Sequence, residues 1–145
     1  MPSVQEILAA KGLDIHAVPS SASVLDAVNR MNERKIGALV VMDDGKVTGI
    51  FTERDVLQRV MCSGRDPKQT PVADVMTKNV ICVGPHTDVE EIQQLMKERR
   101  VRHVPVCSDD GDLLGVISIG DVNAYQVSMQ DSHIEFLNEY VYGRA

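Results

Sequence analysis

The chain has no tryptophan, only two phenylalanines and only three tyrosines among its 145 residues. Single-stranded nucleic acids are held by aromatic rings on which bases stack, so this composition excludes such a platform and leaves the core to Val, Ile, Leu and Met. Cations are also short: 15 Lys and Arg stand against 21 Asp and Glu, giving a net charge of −6 and an isoelectric point near 5.1. An acidic surface cannot neutralise a polyphosphate backbone or an anionic bilayer, so small molecules and proteins are the expected partners. Cys62, Cys82 and Cys107 are odd in number and widely spaced, which suits neither a disulfide framework nor a structural zinc site. His16, His86, His103 and His133 fall at no metal-ligand spacing. No segment approaches the roughly 20 apolar residues of a membrane span, and Met1 to Glu6 carries no basic leader before an apolar run. The expectation is a cytoplasmic protein without metal, membrane or nucleic acid.

What the chain does have is a copy of itself. Gly49-Ile50-Phe51-Thr52-Glu53-Arg54-Asp55 returns as Gly115-Val116-Ile117-Ser118-Ile119-Gly120-Asp121, with glycine, hydroxyl and aspartate all displaced by 66 residues. Val18 through Val41 matches Val83 through Val106 at an offset of 65. The one inserted residue falls in Asp43-Asp44-Gly45 against Ser108-Asp109-Asp110-Gly111, a polar turn where a hairpin absorbs it most easily. Each half is too small to stand alone, so two half-modules sharing one core are expected. The predicted division is a first repeat over 4–62, a linker over 63–71, a second repeat over 72–127 and a helical tail over 128–145.

Each copy reads helix, strand, strand, helix. Ser23 before Val24, Ala27, Val28 and Met31, and Thr87 before Val89, Ile92, Leu95 and Met96, give helical spacing behind capping residues. Ala38 to Met42 with Val47 to Phe51, and Val104 to Cys107 with Leu113 to Ile117, read as hairpins. Second helices follow over Glu53 to Met61 and Ile119 to about Val127. Val4-x-x-Ile7-Leu8 and Val72-x-x-Val75-Met76 correspond as lead-in segments. The tail places Ile134, Leu137 and Val141 on one helical face beside Phe136 and Tyr140, packing across the module or a partner. Met31, Met61, Met76 and Met96 read as core filler.

The functional signal is the hydroxyl and carboxylate three residues apart at each strand-to-helix junction, Thr52 with Asp55 and Ser118 with Asp121. A helix N-terminus of this kind favours a phosphate, although the same spacing also describes a capping box with no ligand. Lys97, Arg99, Arg100, Arg102 and His103 form a basic island. The first three complement the end of a helix as solvated cations, while Arg102 and His103 enter a strand and are candidates to meet phosphate. Asp43-Asp44 and Asp109-Asp110 belong to turns rather than to acid–base chemistry. Ser118 is no nucleophile elbow, because Val116 stands where G-x-S-x-G needs glycine.

The duplicated Gly-apolar-x-Thr/Ser-x-x-Asp ending, the hairpin before it and the tandem arrangement together resemble the CBS domain in its paired, or Bateman-module, form. The resemblance spans about residues 4 to 127. Asp74-Val75-Met76-Thr77, Arg102-His103-Val104-Pro105-Val106 and Ser118-Ile119-Gly120-Asp121 are similar to stand-alone bacterial CBS-pair proteins and their plant organellar relatives. It implies an α/β (α+β) fold of two repeats, each a small β-sheet with two packed helices, related by a pseudo-two-fold axis. It also implies a regulatory protein, not an enzyme, that binds AMP, ADP, ATP, NAD(H) or S-adenosylmethionine between the repeats. By matching position, one cleft would take Asp55 on the ribose with Thr52 and Arg54, Val80 and Ile81 as adenine walls, and Arg102 and His103 facing phosphate. The other would take Asp121 with Ser118, and Ile15, His16, Gly37 and Ala38. Only the Asp55 cleft then gains the extra cations, and phosphate is expected to bind more tightly there. The resemblance further implies a homodimer formed through helices and an unidentified target protein. The rival reading is a ligand-free interaction module acting on a redox or metabolic enzyme.

Overall fold

The structure, a computed structural model, describes residues 3–12 and 15–142, apart from the side chains of 132, 133, 136 and 138–142. The elements run α1 (Val4–Lys11), β1 (Ala17–Val18), α2 (Val24–Arg34), β2 (Ala38–Asp43), β3 (Lys46–Thr52) and α3 (Glu53–Asp55), which continues as a π-helical stretch Val56–Met61. A 3-10 turn (Val72–Asp74), α4 (Val89–Arg99), β4 (His103–Cys107), β5 (Leu113–Ser118) and α5 (Ile119–Tyr142) follow. Helices and small sheets alternate in two repeats, the mixed architecture expected from the sequence.

The hairpin turns form where the polar glycine-ending segments predicted them. Asp44 and Gly45 both take positive φ, 52° and 77°, joining Asp43 to Lys46 across the β2–β3 pair as a primed two-residue turn requires. In the second copy the extra residue is taken up by a wider loop in which Ser108 N donates to Asp112 O at 2.8 Å. Ser23 caps α2 by accepting from Asp26 N at 3.1 Å. Thr87 does not cap α4: the helix starts one residue later, with Asp88 as N-cap and no side-chain hydrogen bond, and Thr87 N is turned back to Gly84 O.

The copies differ in their sheets. β1, too short to be legible as a strand, pairs in parallel with β2 to give the order β1-β2-β3, whereas β4 and β5 form a two-stranded sheet. The cause is a single residue. Val40 N donates to His16 O at 3.2 Å, but the matching position in the second copy is Pro105, which has no N–H to offer. Only a bridge between Val83 and Val106 remains there.

The apolar residues do not make one shared core but two, and each is completed by the other repeat's lead-in segment. Val72, Val75 and Met76 pack with Val24, Met31, Leu39 and Phe51. Val4, Ile7 and Leu8 of α1 pack with Val89, Ile92, Met96 and Ile117. Equivalent hydrogen bonds tie each crossing: Val72 N to Ala22 O at 2.8 Å and Val4 N to Thr87 O at 2.9 Å. The duplicated glycines exist for this crossing. A Cβ on Gly49 would lie 2.6 Å from Met76 Sδ and 2.9 Å from Thr77 O, and one on Gly115 would lie 2.7 Å from Leu8 Cδ2.

The expected helical tail is not a separate element, since α5 runs unbroken from Ile119 to Tyr142. Ile134 and Leu137 on it are exposed, and the side chains of Phe136, Tyr140 and Val141 lie outside the described residues. Met31, Met76 and Met96 are buried as expected, but Met61 is 64% exposed, on the outer face of the π-helical stretch.

Candidate functional site

Each strand-to-helix junction is a closed hydrogen-bonded knot. Thr52 N donates to Asp55 Oδ2 at 3.0 Å, and Asp55 N donates back to Thr52 Oγ1 at 3.4 Å. Ser118 N donates to Asp121 Oδ2 at 2.8 Å, and Asp121 N to Ser118 Oγ at 3.0 Å. One further first-turn donor at each junction is tied as well, Glu53 N to Gly37 O and Ile119 N to Arg102 O. These are capping boxes, and they take up the N–H groups that were expected to cradle a phosphate. An anion at either junction therefore depends mainly on side-chain cations.

Two clefts adjoin along the seam between the repeats, sharing Gly37, His103 and Ser118 as a common wall. The larger, about 780 Å³, brings together Thr52, Arg54, Asp55, Arg102 and His103, and adds Gln58, Arg59, Thr77, Arg99 and Arg100. The smaller, about 400 Å³, brings together His16, Gly37, Ala38, Ser118 and Asp121, and adds Lys11, Arg34 and Lys35. Both volumes lie within the roughly 300–1,000 Å³ of small-molecule sites. Val80, Ile81 and Ile15 line neither cleft; Ile81 and Ile15 are exposed. The segment carrying Val80 and Ile81 is the one that Pro105 leaves without its strand pairing.

Cations are distributed differently from the sequence expectation. Arg99 and Arg100, read as a solvated helix end, border the larger cleft, and the smaller one has cations of its own. Lys35 and Arg100 close α2 and α4 at matching positions with φ of 54° and 55°. That left-handed conformation is one glycine adopts more cheaply. Arg54 reaches across the seam to Arg100 O at 3.2 Å.

The two aspartates sit in opposite electrostatic states. Burial dominates at Asp55 and raises its pKa, against the Thr52 N–H and hydroxyl and the guanidinium groups of Arg59 and Arg54. Its Oδ1 faces Arg59 Nε at 3.6 Å. At Asp121 burial also acts upward, but the hydrogen bond from Lys11, the Ser118 N–H and the Lys11 charge outweigh it, and the pKa is lowered. Lys11 Nζ also donates to Val116 O at 2.6 Å. His103 has a lowered pKa, mainly through burial and then the neighbouring Lys11 charge, so at neutral pH it is a neutral hydrogen-bonding group rather than the cation expected. Lys11, Arg34 and Lys35 carried no motif; Arg59 shows only as a cation four residues after Asp55.

Among the described residues no three His, Cys, Asp or Glu side chains converge as a metal site, and no helix is long and apolar enough to cross a membrane. The family description "CBS domain" matches residues 4–62 and 72–128. The chain is 41% identical over 126 residues to the mitochondrial CBS domain-containing protein CBSX3 of Arabidopsis thaliana, covering 83% of this chain and 61% of the plant protein's length. It is 29% identical to the CBS domain-containing protein YhcV of Bacillus subtilis, over 91% of each. A solved CBS-domain protein from Burkholderia ambifaria superposes with a TM-score of 0.84 at 39% identity, covering 88% of this chain and 95% of that one.

Proposed function

Since the chain belongs to the CBS-domain family and carries that domain twice in tandem, we propose that it is a non-catalytic sensor. It binds an adenosine-containing nucleotide, AMP, ADP, ATP or NAD(H), in the cleft around Asp55 and passes occupancy to a target protein. The observation that carries this reading is the convergence in one cleft of a buried carboxylate with Arg54, Arg59, Arg99, Arg100 and Arg102, drawn from both repeats. A carboxylate accepts from a ribose diol, and guanidinium groups match phosphate oxygens in forked geometry. Asp55 spends Oδ2 on its capping box, which leaves Oδ1 for the sugar. A ligand that touches both repeats at once favours the arrangement in which they are closest, and so shifts the population seen by a partner.

The partner surface in this reading is helical. Leu57 and Met61 on the π-helical stretch and Val127, Met129, Ile134 and Leu137 on α5 are large apolar residues left exposed. A homodimer through these helices covers them. Cytoplasmic placement is part of the same proposal. A second reading, a ligand-free interaction module for a redox or metabolic enzyme, is favoured by Lys11, which already pairs with Asp121 through Oδ2.

The test is calorimetric titration of the full chain with AMP, ADP, ATP, NAD, NADH and S-adenosylmethionine, backed by thermal shift. A ligand at about 100 times its dissociation constant adds roughly 2.7 kcal/mol to stability, several degrees for a chain of this size. Asp55→Asn keeps an acceptor for Thr52 N–H but replaces the free oxygen, and is expected to abolish most of the binding. Heats of dilution alone for all six compounds would leave the interaction module as the better account.

A further inference from the structure

Cys82 and Cys107 line neither cleft, yet the main chain brings them together. Val83 and Val106 form a parallel bridge; Val83 N donates to Pro105 O at 3.0 Å, and Val83 O accepts from Cys107 N at 2.9 Å. One cysteine precedes the bridge on its strand and the other follows it on the opposite strand. Side chains alternate along a strand, so both thiols leave the sheet on the face opposite to Val83 and Val106, whose side chains turn to the core. The β4–β5 register shifts between Val106 and Cys107, with Leu114 as the extra residue on β5. Burial first, and then Cys82 beside it, push the Cys107 thiol up to about 12. Cys82 is exposed and Cys107 half-buried.

The pair is peculiar to the second copy. At the matching positions of the first stand Ala17 and Met42, where β1 is held by one further hydrogen bond, Val40 N to His16 O, that Pro105 denies to its counterpart. The cysteines therefore flank the seam of the second sheet that is one main-chain hydrogen bond short of its counterpart.

We propose that Cys82 and Cys107 form an oxidisable dithiol that a hydroperoxide converts into an intramolecular disulfide, stapling the segment before Val83 to β4. The exposed Cys82 sulfur attacks as thiolate: an S–O bond forms, the O–O bond breaks, and the departing alkoxide or hydroxide takes up a proton as alcohol or water. The Cys107 sulfur then attacks the Cys82 sulfenic sulfur. An S–S bond forms, the S–O bond breaks, and the Cys107 proton leaves with the hydroxide as water. Two thiols and one hydroperoxide give one disulfide, one alcohol or water and one further water, a two-electron oxidation. Cys107, kept protonated until that moment, serves as the resolving thiol. A transient bridge of this kind is compatible with a reducing compartment.

The experiment treats the reduced full-length chain with stoichiometric hydrogen peroxide under native conditions, then alkylates and digests it with trypsin, which cuts between the two cysteines after Lys97, Arg99, Arg100 and Arg102. The expected result is a cross-linked peptide pair joining Cys82 to Cys107, reversed by dithiothreitol, with Cys62 still alkylated and amides 79–83 exchanging more slowly. In Cys107→Ser the reaction is expected to stop at a Cys82 sulfenic acid trapped by dimedone. Independent alkylation of Cys82 and Cys107 after oxidation, a disulfide running between chains, or equal sulfenic acid yield in the wild-type chain and Cys107→Ser would each overturn the proposal.

Discussion

Lys11 Nζ lies 2.7 Å from Asp121 Oδ2, across 110 residues of chain, whereas the cation nearest Asp55 is Arg59 at 3.6 Å. One copy of the duplicated aspartate is thus paired at close range by a side chain of α1 from the other end of the module, and the other only more loosely by a cation four residues along its own helix. The pair is partly exposed, which limits it to about 0.5–1 kcal/mol. Removing Lys11 releases Asp121 for a ribose diol. In an Asp55→Asn background, Lys11→Met is expected to raise adenosine affinity of the smaller cleft roughly two- to fivefold, read by titration calorimetry. Unchanged affinity would show that Lys11 does not compete for that carboxylate.

The glycines of the repeated motif differ in what surrounds them. Gly49→Ala drives a methyl against Thr77 O, which is main chain, as well as Met76, and is expected to destabilise by about 2 kcal/mol. Gly115→Ala meets only the end of the Leu8 side chain, which can rotate, so about 1 kcal/mol or less is expected. Urea denaturation of the two variants checks the order.

Protonation of His103 works against the fold. Its pKa is lowered below the ordinary value of 6.5, so the neutral ring contributes stability above that pH, and the contribution is lost as pH falls through the folded-state value. The wild-type chain is expected to lose more stability than His103→Gln as the pH falls below about 6.5. A phosphate-bearing ligand in the adjoining clefts opposes this by favouring the charged ring. Binding of ATP below neutrality should then take up protons, visible as a dependence of the calorimetric heat on buffer ionisation enthalpy.

Arg100 holds a left-handed backbone at the lip of the Asp55 cleft. Arg100→Gly relieves that conformation and is expected to stabilise the chain by about 1 kcal/mol while weakening ATP more than adenosine. Thermal denaturation and titration of the two ligands separate the effects; parallel weakening of both ligands would remove Arg100 from the phosphate-binding set.

Pro105→Val restores the donor that Val40 has in the first copy. A new hydrogen bond from residue 105 to Ile81 O, worth about 1 kcal/mol, is offset by the flexibility that proline had removed from the unfolded chain. The expected signature is local: slower amide exchange at residue 105, with global stability nearly unchanged.

Much of the architecture was legible in the chain because it depends on neighbours. The hairpins, the Ser23 cap and the reciprocal Thr52–Asp55 and Ser118–Asp121 bonds join residues close in sequence, so spacing and residue type suffice to specify them. Thr87 misled because α4 starts one residue later, at Asp88, the position that matches Ser23. Val80, Ile81 and Ile15 were assigned by position within the repeat, and the clefts left them aside.

By itself the sequence determined the duplication, the hairpin and helix order of each copy and the carboxylate at each junction. Only the tertiary structure decided which lead-in segment completes which core, that Lys11 faces Asp121, that Arg99 and Arg100 turn into a cleft, and that His103 is neutral. The reason is degeneracy: in a duplicated chain both lead-in segments carry the same apolar spacing and would bury similar surface against either repeat. Long-range packing breaks that tie, and the charges on the crossing segments follow from it.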